Sequence, residues 1–317
     1  MKKKLYKEVN IVITGAAGFI GSHVANFFLS KNYKVVAIDN QKFGNWSNLD
    51  KKKKKIKIFN IDINTISIPT LKKIFNKNTI LIHLAAEKHN NSMNNPKIIF
   101  ETNCIATNKI FKVASEMKIK KIIFSSSLYA YGSQNLPKMS EKIFCSPKTV
   151  YGISKLTGEN LIKMYCDKNK IPFSILRLFF VYGPKQYTGQ GYPSVIVRNF
   201  KRIKLNQRPI IVNDGEQTLD YVYIDDVVNA IYKCTKSNKS DVFNVSSGKG
   251  ISINQLTKLM IKVSKKKIKY FYKGSDWTKK TFRVGSNSKI LYKVQWKPKV
   301  SMLKGLQNVW NWMNHKI

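Results

Sequence analysis

The sequence predicts an α/β fold: a doubly wound parallel sheet accompanied by a smaller α/β region. Up to Phe180, short apolar runs alternate with longer segments of helical periodicity, and this alternation is typical of parallel sheets with right-handed crossovers. A glycine-spaced junction joins the first run to the first helical segment. Beyond Phe180 the elements become shorter and more irregular. These observations predict a sheet domain at 1–180, completed by about 222–248, and a smaller region at 181–221 and 249–317.

The elements of the sheet domain follow from runs rich in valine and isoleucine and from apolar residues at helical spacing. The predicted strands are Val9–Ile13, Lys34–Ile38, Lys57–Ile61, Thr79–Leu84, Lys120–Ser125 and Phe173–Phe180. The predicted helices between them are Gly18–Lys31, Pro69–Asn76, Pro96–Met117 and Thr149–Lys168. Proline at the start of the third helix is tolerated because the first turn needs no backbone N–H.

The region beyond the sheet domain contains shorter elements by the same criteria. The predicted helices are Ser194–Leu205, Asp225–Lys236, Ile253–Val263 and Met302–Met313, and the predicted strands are Ile210–Val212 and Val242–Val245.

The charge of the chain is strongly positive, with 57 Lys+Arg against 17 Asp+Glu and a formal net charge of +40. Hydrophobic residues make up 43% of the chain, enough for a core, which excludes a disordered polycation. The lysines are spread along the whole sequence, and the only dense run is Lys51–Lys55. A diffuse charge of this kind does not predict a specific nucleic-acid site and is explained by codon bias.

The remaining composition predicts a cytoplasmic protein without a membrane span. No apolar run approaches the roughly 20 residues that cross a bilayer, and the basic N-terminus lacks the apolar stretch of a signal peptide. The four cysteines are scattered, without disulfide or metal spacing, and no metal site is predicted.

The junction after the first strand has the features of a phosphate cradle. It reads Gly15-Ala16-Ala17-Gly18-Phe19-Ile20-Gly21. The first glycine permits a tight turn, the second allows close approach of a pyrophosphate, and the third lets the helix pack against the strand. Backbone N–H groups at the helix start, including those of Phe19 and Ile20, then attract the anion.

An acidic residue completes this cradle. Asp39, followed by Asn40, ends the second strand 18 residues beyond Gly21. An acid there accepts hydrogen bonds from an adenosine ribose and repels a 2′-phosphate, so the pattern predicts a Rossmann-type fold that binds NAD rather than NADP. Asp62, with Ile63 beside it, follows the third strand and is a candidate for the adenine edge, although an ordinary loop aspartate explains it equally well.

A candidate catalytic set lies further along the chain. Tyr151 and Lys155 are four residues apart on one predicted helix, so they share a face. A lysine cation close to a phenol lowers the pKa of the phenol, and Tyr151 is then able to remove a proton from a substrate hydroxyl. Ser127, at a strand end, is the candidate that hydrogen-bonds the same oxygen, with Ser126 as the alternative.

These residues resemble the extended short-chain dehydrogenase/reductase family, specifically its NAD-dependent nucleotide-sugar epimerases and dehydratases of the UDP-glucose 4-epimerase type. Further matching motifs are His83-Leu84-Ala85-Ala86, Asn103, Thr107, Tyr131-Gly132, Leu176-Arg177, Val181-Tyr182-Gly183-Pro184, Asp220-Tyr221 and Trp296-Lys297-Pro298. The resemblance implies a catalytic set of Ser127, Tyr151 and Lys155. It also implies an NAD site that includes Leu84, Ala85, Ala86 and Asn103 together with Tyr151 and Lys155.

The resemblance also bears on the reaction. Members of the family first oxidise a sugar carbon with NAD; epimerases then return the hydride to the other face, whereas dehydratases also eliminate water. In similar dehydratases a carboxylic acid pair follows the strand-end serine or threonine, and this chain has Leu128 and Tyr129 there. We therefore expect an epimerase, with surface polysaccharide precursors as its products, and a dehydratase or reductase as the alternative. A non-catalytic dinucleotide- or nucleic-acid-binding protein is the alternative of another class.

Substrate-binding residues are predicted in both parts of the chain. Ser127, Lys88, Phe180, Arg198 and Arg283 are the candidates for a nucleotide-sugar substrate. In similar epimerases an asparagine stands where this chain has Phe179-Phe180, and an arginine stands where it has Leu219. As in similar proteins, the helices Pro96–Met117 and Thr149–Lys168 are expected to form a homodimer interface.

Overall fold

The computed structural model describes residues 9–50, 55–89, 95–132, 136–186, 194–275 and 278–315. The dense lysine run of the sequence therefore lies outside the described residues, except for Lys55.

The strands and helices are numbered here in chain order. The strands are β1 (Asn10–Thr14), β2 (Lys34–Asp39), β3 (Ile56–Asn60), β4 (Thr79–His83), β5 (Lys121–Ser127), β6 (Phe173–Leu178), β7 (Phe180–Tyr182), β8 (Ile210–Val212), β9 (Thr218–Leu219), β10 (Tyr221–Tyr223), β11 (Asp241–Val245), β12 (Ile251–Ser252), β13 (Phe271–Lys273) and β14 (Phe282–Arg283). The α-helices are α1 (Phe19–Ser30), α2 (Ile68–Ile74), α3 (Pro96–Phe100), α4 (Thr107–Glu116), α5 (Val150–Asn169), α6 (Val195–Lys204), α7 (Ile224–Lys236), α8 (Ile253–Ser264), α9 (Ser288–Val294) and α10 (Met302–His315).

A seven-stranded parallel sheet, in the order β11-β6-β5-β4-β1-β2-β3, confirms the predicted Rossmann-type fold. Strand β1 pairs in parallel with β2 on one side and with β4 on the other, so Thr14 lies opposite both Ile38 and His83. The strand order reverses between β1 and β4, and ligands of such sheets bind at the carboxyl ends of the strands beside that reversal. The segments that follow Thr14, Asp39, His83 and Ser127 therefore start from the same edge of the sheet.

Burial explains why the central strands are rich in apolar residues. Every residue of β4, β5 and β6 is buried, as expected where helices cover both faces of a parallel sheet. On one face, Phe111 of α4 and Ile162 of α5 pack into a core with Ile122 and Phe124 of β5.

Contacts divide the chain into two compact units. The first unit is Met1–Ser133, Phe144–Leu178 and Val228–Phe243, and the second is Gln134–Ile143, Phe179–Val227 and Asn244–Ile317. The second unit contains small sheets, in the orders β12-β9-β14, β10-β7 and β13-β8. Within it the ring of Trp296 is fully buried, and its Nε1 donates to the Asp226 carbonyl oxygen at 2.9 Å.

Two predicted elements are wrong in their extent. The helix Pro96–Met117 is interrupted by a π-helical segment, Glu101–Ala106, between α3 and α4. The strand Phe173–Phe180 ends at Leu178, and Phe180 begins β7, which pairs with β10 outside the main sheet. Most other predicted boundaries agree within two residues. The short strands β7, β9, β10, β12, β13 and β14 and helix α9 were not predicted.

Within the described residues, no helix is both long and apolar enough to cross a membrane.

Candidate active site

The glycine loop between β1 and α1 is shaped by contacts that leave no room for side chains. Gly15 has a φ of +72°, and a Cβ on it would lie 2.8 Å from the backbone nitrogen of Ala85. A Cβ on Gly21 would lie 1.9 Å from the Gly15 carbonyl oxygen. The loop is held to the neighbouring strand because the Gly15 N–H donates to the Ile38 carbonyl oxygen at 2.8 Å. The three-glycine spacing therefore brings helix and strand together as the sequence predicts.

Helix α1 begins at this loop with the features of an anion site. Its N-cap is Gly18, which has no side chain to accept the first N–H groups, and no acidic side chain lies in the first turn. Phe19 and Ile20 occupy that turn and are partly buried. Unsatisfied N–H groups at a helix start attract a phosphate. The loop therefore fits the pyrophosphate of a dinucleotide.

Asp39, at the end of β2, is buried against this loop. One carboxylate oxygen accepts the Ala17 N–H at 3.0 Å, and the other accepts the Gln41 N–H at 2.6 Å. Burial raises the pKa of Asp39, while these backbone hydrogen bonds lower it. The side chain thus ties the glycine loop to the end of β2, in the position expected of a ribose-binding acid.

The residues predicted for the adenine side lie next to one another. Asn40 Nδ2 donates to Asp62 Oδ2 at 2.6 Å, and the other Asp62 oxygen accepts the Asn64 N–H at 2.7 Å. Ile63 is buried in the core of the first unit. The Asn40–Asp62 bond brings the ends of β2 and β3 together at the carboxyl edge of the sheet.

Leu84 and Ala85 are fixed to the end of β1 by Thr14. The Thr14 Oγ1 accepts the N–H groups of Leu84 and Ala85 at 3.2 and 3.3 Å, and its own proton is therefore available to His83 Nδ1, 2.7 Å away. His83 Nε2 then donates to Thr107 Oγ1 at 3.0 Å. Burial, with the nearby Lys155 charge, lowers the pKa of His83 to about 3, so the ring is neutral.

Ala86 follows in the same segment and is partly buried. Asn103 holds the next residue, because its Oδ1 accepts the Glu87 N–H at 2.8 Å and its Nδ2 donates to the Glu87 carbonyl oxygen at 3.2 Å. The same Nδ2 donates to Ser154 Oγ on α5 at 3.1 Å. Asn103 lies in the unpredicted π-helical segment, a feature often found at functional sites.

The predicted catalytic residues lie together in the first unit. Helix α5 starts with Thr149 as N-cap, which accepts the Gly152 N–H at 3.1 Å, so Tyr151 falls in its first turn. The side chains of Ser127 and Tyr151 are hydrogen-bonded to each other. The Lys155 Nζ donates to the Ser125 carbonyl oxygen at 2.9 Å and lies 5.7 Å from the centroid of the Tyr151 ring.

The electrostatics of this set differ from the sequence prediction in one respect. Burial raises the pKa of the Tyr151 phenol, an effect larger than the lowering by the Ser127 hydrogen bond. Burial also lowers the pKa of Lys155 to about 8, against the opposing effects of Cys104 and Glu159. The sequence predicts a phenol pKa lowered by lysine, whereas the structure partly buries Tyr151 and directs the Lys155 ammonium to a backbone carbonyl.

The three serines that end β5 point their hydroxyls to different partners. Ser125 Oγ donates to the His83 carbonyl oxygen at 3.2 Å, and Ser126 Oγ donates to Glu159 at 2.5 Å. Ser127 is the one bonded to Tyr151. The geometry therefore favours Ser127 over the alternative Ser126.

Aromatic rings surround the phenol of Tyr151. Tyr129 lies 5.9 Å from it between ring centroids, and His89 stacks on Tyr129 at 4.3 Å. Leu128, at the first position of the acid pair in similar dehydratases, is buried. Among the described residues 125–132, which end β5 and follow it, there is no carboxylic acid.

Lys88 lies over the ring of Phe43, with its Nζ 4.2 Å from the centroid. Burial lowers the pKa of Lys88 to about 8, while the charge of Glu87 raises it. Glu87 is itself buried and forms an ion pair with Lys42. The segment after β4 therefore contributes a partly desolvated cation to the carboxyl edge of the sheet.

The other substrate candidates belong to the second unit. Phe180 and Arg283 are both hydrogen-bonded to the backbone of Asp220. The Phe180 N–H donates to the Asp220 carbonyl oxygen at 3.1 Å, and the Asp220 N–H donates to the Arg283 carbonyl oxygen at 3.0 Å. Arg198 Nη2 donates to the Ile210 carbonyl oxygen at 3.2 Å. The guanidinium of Arg198 is thus engaged in holding β8.

Sequence reasoning missed Glu159, which is fully buried and binds Arg177. It named Asp220 as a matching residue but did not predict that its carboxylate accepts four hydrogen bonds within the second unit. Glu159 continues the four-residue spacing of Tyr151 and Lys155 along α5. This four-residue spacing is the sequence signal from which Glu159 could have been predicted.

Comparison with known proteins places these features in a family. Residues 11–246 match the NAD dependent epimerase/dehydratase family. A protein of Methanocaldococcus jannaschii, provisionally named a UDP-glucose 4-epimerase, is 33% identical over 312 residues, which cover 96% of this chain and 98% of that protein.

Solved structures agree in fold over nearly the whole chain. The UDP-N-acetylglucosamine 4-epimerase of Methanobrevibacter ruminantium, in complex with UDP-N-acetylmuramic acid, has a TM-score of 0.93 at 28% identity and covers 98% of this chain and 100% of its own. The UDP-glucuronic acid 4-epimerase of Bacillus cereus, in complex with UDP-glucuronic acid and NAD, has a TM-score of 0.86 at 26% identity, with coverages of 98% and 100%. NAD is the cofactor of this group.

The glycine loop with its acid partner, the Ser127–Tyr151–Lys155 set and the match over most of the chain lead to one assignment: the chain belongs to the NAD dependent epimerase/dehydratase family.

Proposed function

We propose that this protein, like the UDP-sugar 4-epimerases to which it is similar, is an NAD-dependent epimerase that inverts C4 of a UDP-sugar. The observation that carries the proposal is the hydrogen-bonded pair of Ser127 and Tyr151 beside Lys155, followed by Leu128 and Tyr129 instead of an acid pair. A phenol supplies general acid and base chemistry at one oxygen. Without a second proton-transfer pair, elimination of water is disfavoured.

NAD, when bound, accepts a hydride from the sugar carbon and returns it. The chain offers the N–H groups at the start of α1 to the pyrophosphate and the Asp39 carboxylate to the ribose. The segment Leu84-Ala85-Ala86 borders the same edge of the sheet, because Thr14 binds the N–H groups of Leu84 and Ala85 and Asn103 binds the next residue, Glu87. These residues hold and orient the cofactor.

In the proposed reaction the Tyr151 phenolate takes the proton of the sugar hydroxyl as the carbon is oxidised, which leaves a neutral phenol, and this phenol gives the proton back to the sugar oxygen when the hydride returns to the opposite face. Ser127 donates to the same sugar oxygen and keeps it aligned with the phenol. The Lys155 cation stabilises the Tyr151 phenolate that begins this proton transfer, an effect that is largest where water is excluded. Because the phenol pKa is raised by burial, this charge compensation is a requirement of the mechanism.

The residues that bind the sugar nucleotide are also part of this proposal. Ser127 and Lys88 contact the sugar nucleotide from the first unit. Phe180, Arg198 and Arg283 of the second unit bind it as well, with arginine as the natural partner of a diphosphate. The cation of Lys88, partly buried over Phe43, is suited to an anionic group.

We further propose a cytoplasmic homodimer that makes precursors of surface polysaccharide. Support for a second copy comes from apolar side chains on the helices of the first unit, where Ile105 is 66% and Met164 is 54% exposed. All four cysteines carry thiols rather than disulfides, which fits a reducing compartment. In this proposal the first unit binds NAD and carries the catalytic set, and the second unit supplies further substrate-binding residues.

The test is incubation with NAD and a panel of UDP-glucose, UDP-N-acetylglucosamine and UDP-glucuronate, followed by NMR and mass spectrometry of the products. Tyr151→Phe is expected to lower kcat about 100- to 10,000-fold, because the proton transfer is lost. Tyr165→Phe is the matched control, since Tyr165 lies on the same helix but donates to Asn108. A product that has lost water, or full activity in Tyr151→Phe, would overturn the proposal.

A further inference from the structure

A buried cluster of charges lies directly behind the catalytic set. Glu159 of α5 is fully buried, and Arg177 of β6 and Ser126 of β5 are nearly so. The Arg177 Nε donates to Glu159 Oε1 at 2.9 Å, and its Nη2 donates to Oε2 at 2.7 Å. The Ser126 hydroxyl also donates to Oε1, at 2.5 Å. One carboxylate thus connects a helix and two strands.

The helix and strands that Glu159 connects also carry the catalytic groups. Ser126 lies opposite Arg177 in the register of β5 and β6. Its neighbour Ser125 offers the carbonyl that binds Lys155, and its other neighbour, Ser127, is bonded to Tyr151. Glu159 stands four residues after Lys155 on α5. The Glu159 carboxylate therefore fixes the spacing between α5, which carries Tyr151, and the end of β5, which carries Ser127.

The stability of the fold does not by itself explain why Glu159 and Arg177 form a buried ion pair. Burying two charges costs about as much as their attraction returns, and apolar residues of similar volume often stabilise a fold as well. The pair is nevertheless bidentate, and Arg177 also lies over the Tyr131 ring, 4.5 Å from its centroid. Burial disfavours the charged arginine, but the hydrogen bonds and charge of Glu159 outweigh it and keep the pKa of Arg177 above its ordinary value. The geometry of this pair is therefore the feature that needs an explanation.

We propose that Glu159, fixed by Arg177, is a positioning residue that holds Ser127 against Tyr151 through the hydroxyl of Ser126. This inference rests on the proposed function, because it assigns Ser127 and Tyr151 to the proton transfer. It goes beyond that function in assigning a role to a carboxylate that does not touch the reacting groups.

The Glu159 charge has a second effect, on Lys155. The groups that face the Lys155 ammonium are Tyr151 and Glu159 on its own helix, Cys104 on the π-helical segment, and His83 on β4, which is neutral. Glu159 and Cys104 raise the pKa of Lys155 against burial. Replacing Glu159 by a neutral residue also leaves the Arg177 charge uncompensated. Both changes lower the pKa of Lys155, so that it loses its proton at a lower pH.

The first test removes the hydrogen bond and keeps every charge. Ser126→Ala is compared with Ser174→Ala, which removes a buried hydroxyl from β6 that lies beside Cys234 instead of Glu159. We expect Ser126→Ala to lower kcat about 10-fold or more, because small displacements of catalytic groups are costly, with NAD affinity and the shape of the pH profile unchanged. Ser174→Ala is expected to retain the wild-type kcat.

The second test removes the charge. Glu159→Gln is expected to lower kcat and to move the alkaline limb of its pH profile to lower pH, which Ser126→Ala does not do. This shift reports the Glu159 charge at Lys155, whereas the loss of kcat that Glu159→Gln shares with Ser126→Ala reports the positioning. Should Glu159→Gln fail to fold, the double variant Glu159→Leu with Arg177→Leu replaces both charges by apolar groups, and its kcat is expected to fall by at least as much as that of Ser126→Ala.

NMR of isotope-labelled tyrosine side chains separates this proposal from the proposed function. The Tyr151 signal, identified by its loss in Tyr151→Phe, reports the hydrogen bond to Ser127 without any turnover. We expect it to shift in Ser126→Ala and Glu159→Gln but not in Ser174→Ala. If the UDP-sugar panel gives no turnover, the proposed function fails and the NMR result still decides the positioning. An unshifted Tyr151 signal in both variants, or wild-type kcat in both, would overturn the inference.

Discussion

Substitution of Gly21 by alanine tests the account of the cofactor loop most quantitatively. The added Cβ would lie 1.9 Å from the Gly15 carbonyl oxygen and 2.8 Å from the Cα of Ala16. Since real Cβ contacts are essentially never under 3.0 Å, helix α1 and the loop must separate by at least about 1.1 Å. Unlike a flexible side chain, neither partner can rotate away, because both are backbone.

The size of the effect follows from that displacement. A hydrogen bond of ordinary length that is stretched by about 1 Å is lost, and a bond between backbone N–H and a charged group contributes about 1.5–3 kcal/mol. Loss of one bond to the dinucleotide pyrophosphate therefore weakens NAD binding about 10- to 100-fold. Strain in the packed loop adds a destabilisation of the fold of about 1–3 kcal/mol.

Isothermal titration with NAD and thermal unfolding measure the two effects separately. Gly274→Ala is the matched control, because Gly274 has a φ of +57° but nothing within 4 Å of its added Cβ. It is expected to lose about 1–2 kcal/mol of stability through backbone strain and to bind NAD as the wild type does. NAD affinity in Gly21→Ala equal to that of Gly274→Ala would refute the packing argument for this loop.

Three further predictions concern single ionisable groups. Asp39→Ser is expected to shift the ratio of the NAD and NADP dissociation constants about 10-fold or more toward NADP, because the repulsion of a 2′-phosphate is removed; fluorescence titration with both dinucleotides checks this, and an unchanged ratio would contradict it. Asp220→Asn turns an oxygen that accepts two hydrogen bonds into a donor, and urea denaturation is expected to show a loss of about 3 kcal/mol; unchanged stability would argue against that network. Burial lowers the pKa of Lys155 to about 8, and its ammonium is charged below that pKa. The kcat should therefore fall as the pH rises through about 8. A kcat that does not fall there would exclude a charged lysine from the mechanism.

Much of the fold was predictable because its signals are local. The valine- and isoleucine-rich runs predicted the strands of the main sheet, and the glycine spacing with Asp39 located the junction of β1 and α1. The π-helical segment Glu101–Ala106 was missed because its residues continue the helical periodicity of their neighbours. The end of β6 at Leu178 was missed because the aromatic residues that follow are as suited to a strand as those before.

The candidate site was predictable in its residue types and less so in its contacts. Tyr151, Lys155 and Ser127 follow from spacing and strand ends, but the choice among three consecutive serines depends on which hydroxyl faces α5. Burial of the Tyr151 phenol, which raises its pKa, is a property of the packed fold and has no sequence signal. The pairing of Glu159 with Arg177 likewise depends on the packing of a helix on a strand.

The most direct test of the central claim follows the hydrogen at the inverted carbon. Wild-type protein with NAD is incubated with UDP-glucose, UDP-N-acetylglucosamine and UDP-glucuronate in deuterium oxide, and the products are examined by NMR and mass spectrometry. The proposed transfer and return of hydride predicts a C4 epimer of unchanged mass, without solvent deuterium on the inverted carbon and without net NADH. A product that has lost water, stoichiometric NADH, or deuterium at the inverted carbon would contradict it.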